Sequence, residues 1–169
     1  MEKKKISHFI SGLFIGAVYI VLFVIYYYKG LAFQENNLIL FAPYILSFIL
    51  IIIAVALYGK SKNNYVTFGE LFNYGFRTTA IFVLVISAFM FFFLKFSDYK
   101  QQLDIEMTNR IKTESDLTGQ KKDLALDLKG SLTMIIIGGA IFTNVVIGAL
   151  GSLAAAIFVR KDAPVSPEK

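Results

Sequence analysis

The segment that decides the fold spans residues 130–159 and reads GSLTMIIIGGAIFTNVVIGALGSLAAAIFV. Its 30 residues contain no charged side chain. A helix needs roughly 20 mainly apolar residues to cross about 30 Å of hydrocarbon, so this segment is long enough to span a membrane. Three further apolar stretches precede it, at residues 9–28, 36–59 and 78–94. The pattern predicts an all-α integral membrane protein with four transmembrane helices.

Composition agrees with this prediction. Of the 169 residues, 56% are hydrophobic, and the mean hydropathy is +0.63. A chain of this length cannot bury so much apolar surface in a soluble core, so lipid must cover part of it. We predict a single transmembrane domain over residues 1–169. Its spans are expected at about 6–28, 38–58, 72–96 and 130–159.

The first apolar run is interpreted as a retained anchor. Lys3, Lys4 and Lys5 precede it, as in a signal peptide, but the run is too long for a signal sequence. It also ends at residues 26–29 in three tyrosines and a lysine, with no small-residue cleavage pattern. Cysteine is absent, which removes disulfides and thiolate metal ligands.

Lysine and arginine positions predict the orientation. With four spans both termini share one side, which carries nine Lys and Arg residues against eight on the other side. The first helix usually dominates, and its three leading lysines face only Lys29 across the span. We therefore expect both termini in the cytoplasm.

Two patterns indicate helix beyond the hydrocarbon segments. Thr67 followed by Glu70 has the spacing of a capping box at the start of helix three. Residues 97–129 are charged and helix-forming, with Leu103, Met107 and Ile111 recurring every four residues. We predict that helices three and four extend beyond the bilayer as an antiparallel helical hairpin over about 97–129. Its tip is expected near residues 113–119.

The last helix carries a row of small residues at a spacing of four. The row consists of Ala140, Asn144, Gly148, Ser152 and Ala156. Such a row lets two helix backbones approach closely within a membrane. In helix one, Gly12 and Gly16 form a GxxxG step. We predict a helix-packing stripe in which these glycines are the partner of the row.

Asn144 lies near the middle of the uncharged segment, where an unsatisfied amide costs several kcal/mol. It therefore needs a partner. One interpretation is a midplane site for a solute or ion; the other, which we favour, is an interhelical hydrogen bond.

Three polar residues lie near the cytoplasmic ends of the first and third spans. Glu70 and Arg77 are seven apart, hence on one helical face, and can form a gated ion pair or a headgroup site. The alternative, which we favour, is a capping carboxylate and a snorkelling guanidinium. His8, the sole histidine, is either a group that titrates near neutral pH or an ordinary interfacial side chain.

The sequence offers few side chains that could support catalysis. Away from the helix ends the spans contain no Asp, Glu, Lys, Arg or His, and the sequence has no phosphate loop or metal-ligand spacing. We therefore expect no enzyme, no catalytic, cofactor-binding or metal site, and no nucleic-acid partner.

Residues 65–77, YVTFGELFNYGFR, resemble a segment of a bacterial family of small four-helix membrane proteins, Domain of Unknown Function 4199. Its members carry a similar Thr/Ser-Phe-Gly segment after a basic turn behind the second span. The layout is also similar, with a long charged segment before a Gly-rich last helix that ends in basic residues, here Arg160 and Lys161. The resemblance implies the bacterial inner membrane and no known activity. The nearly featureless midplane departs from the family and argues against transport.

Two functional hypotheses follow. The first is a non-enzymatic scaffold or accessory subunit whose hairpin and small-residue stripe bind another membrane protein or a second copy. The second is a small transporter or channel component, in which Asn144, Thr143 and Ser152 line a path within an oligomer.

Overall fold

A computed structural model of the chain describes residues 7–31, 41–113 and 131–159. Within these ranges the structure is helical and has no β-strand. The helices described are α1 (His8–Tyr28), α2 (Ala42–Ser61), α3 (Phe68–Phe96), α4 (Tyr99–Thr113) and α5 (Leu132–Phe158). Four of them, α1, α2, α3 and α5, are long and apolar enough to cross a membrane. The predicted all-α fold with four transmembrane helices is confirmed.

Local side-chain caps start two of these helices. The Ser7 hydroxyl oxygen accepts a hydrogen bond from the Phe9 N–H at 3.3 Å, at the start of α1. At the start of α3, the Glu70 N–H donates to Thr67 Oγ1 at 3.2 Å. In return, the Thr67 N–H donates to Glu70 Oε2 at 2.8 Å. These two bonds form the capping box that the spacing of Thr67 and Glu70 predicts.

A tight polar turn joins α2 to α3. Asn63 and Asn64 have φ angles of 53° and 63°, a left-handed conformation that asparagine tolerates better than most residues. The Asn64 N–H donates to the Gly59 carbonyl at 2.9 Å and so closes the end of α2. The chain therefore reverses direction within a few residues.

The junction of α3 and α4 is not continuous helix, in contrast to the predicted extension of helix three. Ser97 has an extended backbone, with φ −106° and ψ 163°. Its hydroxyl donates to the Phe93 carbonyl at 2.5 Å and accepts from the Tyr99 N–H at 3.3 Å. Ser97 thus closes α3 and helps to start α4, which is a separate helix. The rest of the predicted hairpin falls on residues 114–130, outside the described part of the chain.

The four spanning helices form a bundle in which α3 packs against α1, α2 and α5. Large side chains at its centre are fully or almost fully buried: Ile15, Ile51, Val55, Leu71, Phe82 and Ile86. In the most hydrophobic window of each spanning helix, however, only 17–33% of the residues are buried. Most residues in these windows therefore keep some exposed surface, as a bundle surrounded by lipid requires.

The bundle has two distinct ends. Helices α1 and α3 run in the same direction, since Ser11 contacts Tyr74 near one end and Tyr27 contacts Phe93 near the other. We call the end that contains Ser7 the terminal end. The opposite end, where α4 begins, is the hairpin end.

Candidate functional site

The small-residue row of α5 lies inside the bundle. Its members, buried or half-buried, are Ala140, Asn144, Gly148, Ser152 and Ala156. A Cβ atom on Gly148 would collide with the Thr79 side chain of α3. A Cβ on Gly75 of α3 would lie 2.5 Å from the Ser152 hydroxyl oxygen. The α3 and α5 backbones therefore approach closely along this row.

The glycines of α1 also face α3. A Cβ on Gly12 would lie 2.7 Å from the Ile81 Cβ, and a Cβ on Gly16 would lie 2.7 Å from the Val85 Cγ1. The prediction that Gly12 and Gly16 pack against the α5 row is wrong, because α3 presents different faces to the two helices. Both sets of small residues bring a neighbouring helix close to α3.

Asn144 has a fully buried side chain with one half unsatisfied. Its Nδ2 donates to the Ala140 carbonyl at 2.8 Å, one turn earlier in the same helix. Its Oδ1 has no hydrogen-bond partner among the described residues. Within the described residues, no hydrogen bond of ordinary length joins Asn144 to another helix, although the Tyr19 hydroxyl of α1 lies close enough to interact with its side chain. The favoured interhelical hydrogen bond therefore stays a prediction, with Tyr19 as the candidate partner. A buried acceptor without a partner costs about 1–3 kcal/mol.

A cavity of about 330 Å³, which we call the hairpin-end cavity, extends from the hairpin end of the bundle to Ala140 and Thr143, next to Asn144. Its polar lining consists of Tyr19, Tyr26, Tyr44, Tyr99 and Thr143. Tyr19 neighbours both Tyr44 and Asn144, and the rings of Tyr19 and Tyr44 meet edge to face at 5.9 Å. Hydroxyl groups therefore continue from the hairpin end towards Asn144. Ser152 lies elsewhere, with its hydroxyl bonded to the Gly148 carbonyl at 2.7 Å.

Tyr99 closes the hairpin end of this cavity. Its ring centre lies 5.8 Å from that of Phe23, 5.6 Å from that of Tyr27 and 5.6 Å from that of Phe93. Burial raises the pKa of the Tyr99 hydroxyl, and the nearby hydroxyls of Tyr44 and Tyr27 raise it further. Tyr99 therefore anchors the start of α4 as a neutral aromatic side chain.

A second cavity, which we call the interfacial cleft, opens at the terminal end and has a volume of about 390 Å³. Three helices contribute to it: the start of α1, the end of α2 and the first turns of α3. Its lining consists of Ser7, His8, Tyr58, Glu70, Asn73, Tyr74 and Arg77. The fold thus gathers the three polar residues singled out from the sequence, His8, Glu70 and Arg77, around one cleft.

Tyr74 is the fixed wall of the interfacial cleft. It is only 6% exposed, and its hydroxyl shares a hydrogen bond of 2.9 Å with the Ser11 hydroxyl. The Tyr58 ring stacks on it at 4.2 Å, and the His8 ring meets it edge to face at 6.4 Å. These contacts hold the three rings in fixed positions along the cleft.

Glu70 and Arg77 lie on the same side of α3 but do not form an ion pair with each other in the structure. A separation of seven residues corresponds to about 10 Å along a helix. Asn73 lies between them and also lines the cleft. The cleft thus presents a guanidinium, an amide and a carboxylate in sequence along one helix. Among the described residues, no three His, Cys, Asp or Glu side chains are grouped so as to hold a metal ion.

A family model described as "Protein of unknown function (DUF4199)" matches residues 10–161. The chain belongs to this family. The match covers all four spanning helices almost completely and includes both cavities except Ser7 and His8. No curated protein and no solved structure gives a match to the chain. Membership in DUF4199 therefore identifies the family of this chain but assigns it no activity.

Sequence reasoning missed several lining residues of this DUF4199 chain. Tyr19 had a detectable signal, since it is a polar aromatic residue near the middle of the α1 span, away from the tyrosines at its end. Asn73 had a weaker signal, because it lies three residues after Glu70 on α3. Tyr58 and Tyr74 come together only through the packing of α2 on α3.

Proposed function

We propose that this DUF4199 protein is a non-enzymatic membrane scaffold or accessory subunit that contacts other proteins through α4. The supporting observation is the position of α4, which leaves the bundle as a separate polar helix beyond the spanning segments. The small-residue row is already engaged within the chain, so α4 is the more suitable contact surface.

One side of α4 is open to solvent. Gln101, Ile105 and Asn109 recur every four residues and are all exposed, and Ile105 is 54% exposed. We call this set the α4 outer face. A half-exposed isoleucine on a helix outside the lipid gains free energy when a partner covers it, and the polar neighbours give the contact specificity.

Single cysteines test this proposal directly, because the sequence contains no native cysteine. A photo-crosslinker attached to Ile105→Cys in native membranes should give one protein adduct of defined mass. The matched control is Leu84→Cys, since Leu84 is 66% exposed in the apolar part of α3 and should give only lipid adducts. Equal products from the two positions would argue against a protein contact at α4.

A second candidate function is a small transporter or channel component, favoured by the hairpin-end cavity and by Asn144 Oδ1, which has no hydrogen-bond partner among the described residues. The lining offers hydroxyl groups and, next to them, an amide, so the suitable solute is small, neutral and able to form hydrogen bonds. Thr143 lines the cavity, and Ser152 does not.

Vesicle swelling with glycerol tests this candidate. Vesicles that contain the protein should swell faster than protein-free vesicles, and Asn144→Ala should slow the swelling. Ser87→Ala is the control, because Ser87 is a half-buried residue on α3 outside the hairpin-end cavity. Swelling equal to that of protein-free vesicles would remove the candidate.

The proposed location is the bacterial inner membrane, with both termini in the cytoplasm. The support is the lysine and arginine distribution, above all the lysines before the first span. The terminal end and its interfacial cleft then face the cytoplasmic leaflet, and α4 lies on the opposite side.

A further inference from the structure

We propose that the interfacial cleft binds the headgroup of an amine-bearing phospholipid, with the phosphate at Arg77 and Asn73 and the ammonium at Glu70. This binding site is independent of the contact proposed for α4, which lies at the other end of the bundle. The residues concerned line one cleft of about 390 Å³.

The depth of Arg77 is the first argument. Arg77 is the tenth residue of α3, which has 29 residues. At 1.5 Å per residue, α3 is ~43 Å long. When α3 is centred on a hydrocarbon layer of about 30 Å, the Arg77 Cα lies about 7 Å inside the edge of that layer. An arginine at that depth extends its side chain towards the phosphates. Side chains tilt towards the helix N-terminus, which for α3 is the direction of the cleft.

The second argument is the available binding chemistry. A guanidinium binds phosphate oxygens through two parallel hydrogen bonds, and a phosphodiester matches this geometry. Asn73 lies one turn nearer the helix start and supplies amide donors. No ion pair occupies Arg77 within the described ranges, and no other residue there satisfies its charge.

The third argument concerns charge. Among the described residues that line the cleft, Glu70 supplies the one carboxylate. The Thr67 N–H and the Thr67 hydroxyl both donate to Glu70 Oε2 and so hold the carboxylate at the start of α3. A ligand with one negative and one positive group satisfies both residues. An ammonium with N–H bonds can donate to the carboxylate, whereas a trimethylated ammonium cannot. The cleft therefore favours a primary amine.

The test is native mass spectrometry of the purified full chain, mixed with equal amounts of phosphatidylethanolamine, phosphatidylcholine and phosphatidylglycerol. The wild-type protein should retain phosphatidylethanolamine preferentially. Arg77→Gln should weaken its retention about tenfold, in line with the loss of charge-assisted hydrogen bonds. The matched control is Lys95→Gln, which removes an exposed cation at the other end of α3 and should change nothing.

Further arms separate the remaining outcomes. Glu70→Gln should erase the preference for phosphatidylethanolamine over phosphatidylcholine while phosphate binding persists. If Arg77→Gln fails to fold, Arg77→Lys replaces it and should weaken retention without abolishing it. Equal retention of all three lipids by the wild type would overturn the proposal. Competition by soluble glycerophosphoethanolamine at the same concentration as lipid would assign the site to a soluble phosphate compound and overturn the lipid assignment.

Discussion

Replacing Gly148 by alanine tests the close contact between α3 and α5. The added methyl group has no space, because it would overlap the Thr79 side chain, with the Thr79 Oγ1 at 2.5 Å and the Thr79 Cβ at 2.8 Å. Thr79 cannot easily rotate away, since it is 2% exposed and its hydroxyl donates to the Gly75 carbonyl at 3.0 Å. The helices must therefore separate locally, which costs about 1–3 kcal/mol.

Gly138→Ala is the matched control, because a Cβ there meets nothing within 4 Å. Both substitutions gain the same helix propensity, about 1 kcal/mol, so this contribution cancels between them. For a chain of this size each kcal/mol lowers the unfolding midpoint by about 2–4 °C. We expect Gly148→Ala to unfold about 2–12 °C below Gly138→Ala in thermal scans of the detergent-solubilised protein.

A double-mutant cycle tests whether the contact with Thr79 causes the loss of stability in Gly148→Ala. Thr79→Ala removes the closest atoms, so Gly148→Ala should cost less in the Thr79→Ala background, with a coupling free energy of about 0.5–3 kcal/mol. Identical midpoints for Gly148→Ala and Gly138→Ala, or a coupling of zero, would refute the packing of α3 on α5 described above.

Three other outcomes are expected. Asn144→Leu removes a buried oxygen that has no hydrogen-bond partner among the described residues, and it should raise the unfolding midpoint despite the loss of the bond to Ala140. A fall of several degrees would show that the oxygen is satisfied. Thr67→Ala breaks the capping box and should cost about 1 kcal/mol, whereas Thr67→Ser should not, as measured by thermal unfolding. In intact cells, a membrane-impermeant maleimide should label Lys29→Cys, and it should label Lys62→Cys only after the membrane is permeabilised; the reverse pattern would invert the orientation.

The helices themselves were predictable because their signals are local. An uncharged run of 30 residues, the spacing of Thr67 and Glu70, and the polar turn after α2 each act within a few residues of chain. The break at Ser97 was missed, because the charged residues that follow favour helix whether or not they continue α3. A serine that bonds backward to Phe93 and forward to Tyr99 does not differ in sequence from a serine within a helix.

The candidate sites were predictable only in part. Helical periodicity placed Glu70 and Arg77 on one face of α3, and it placed Asn144 in the small-residue row. It did not indicate Tyr58 or Tyr19 as neighbours of these residues. Those contacts depend on how α1 and α2 are rotated against α3, which no single helix determines.

The amino-acid sequence by itself determined which four segments are apolar enough to cross the membrane, the capping box at Thr67 and Glu70, and which residues share a helical face. Hydropathy and hydrogen bonding along one helix suffice for this. Only the tertiary structure decided that α3 receives the glycines of α1 on one face and the small residues of α5 on another. The physical reason is the solvent. Lipid tails are as apolar as leucine, so hydropathy does not distinguish a face that packs on a helix from a face that meets lipid. Which face packs on a helix depends on the steric fit between its small residues and the side chains of the neighbouring helix. This fit exists only in the assembled bundle.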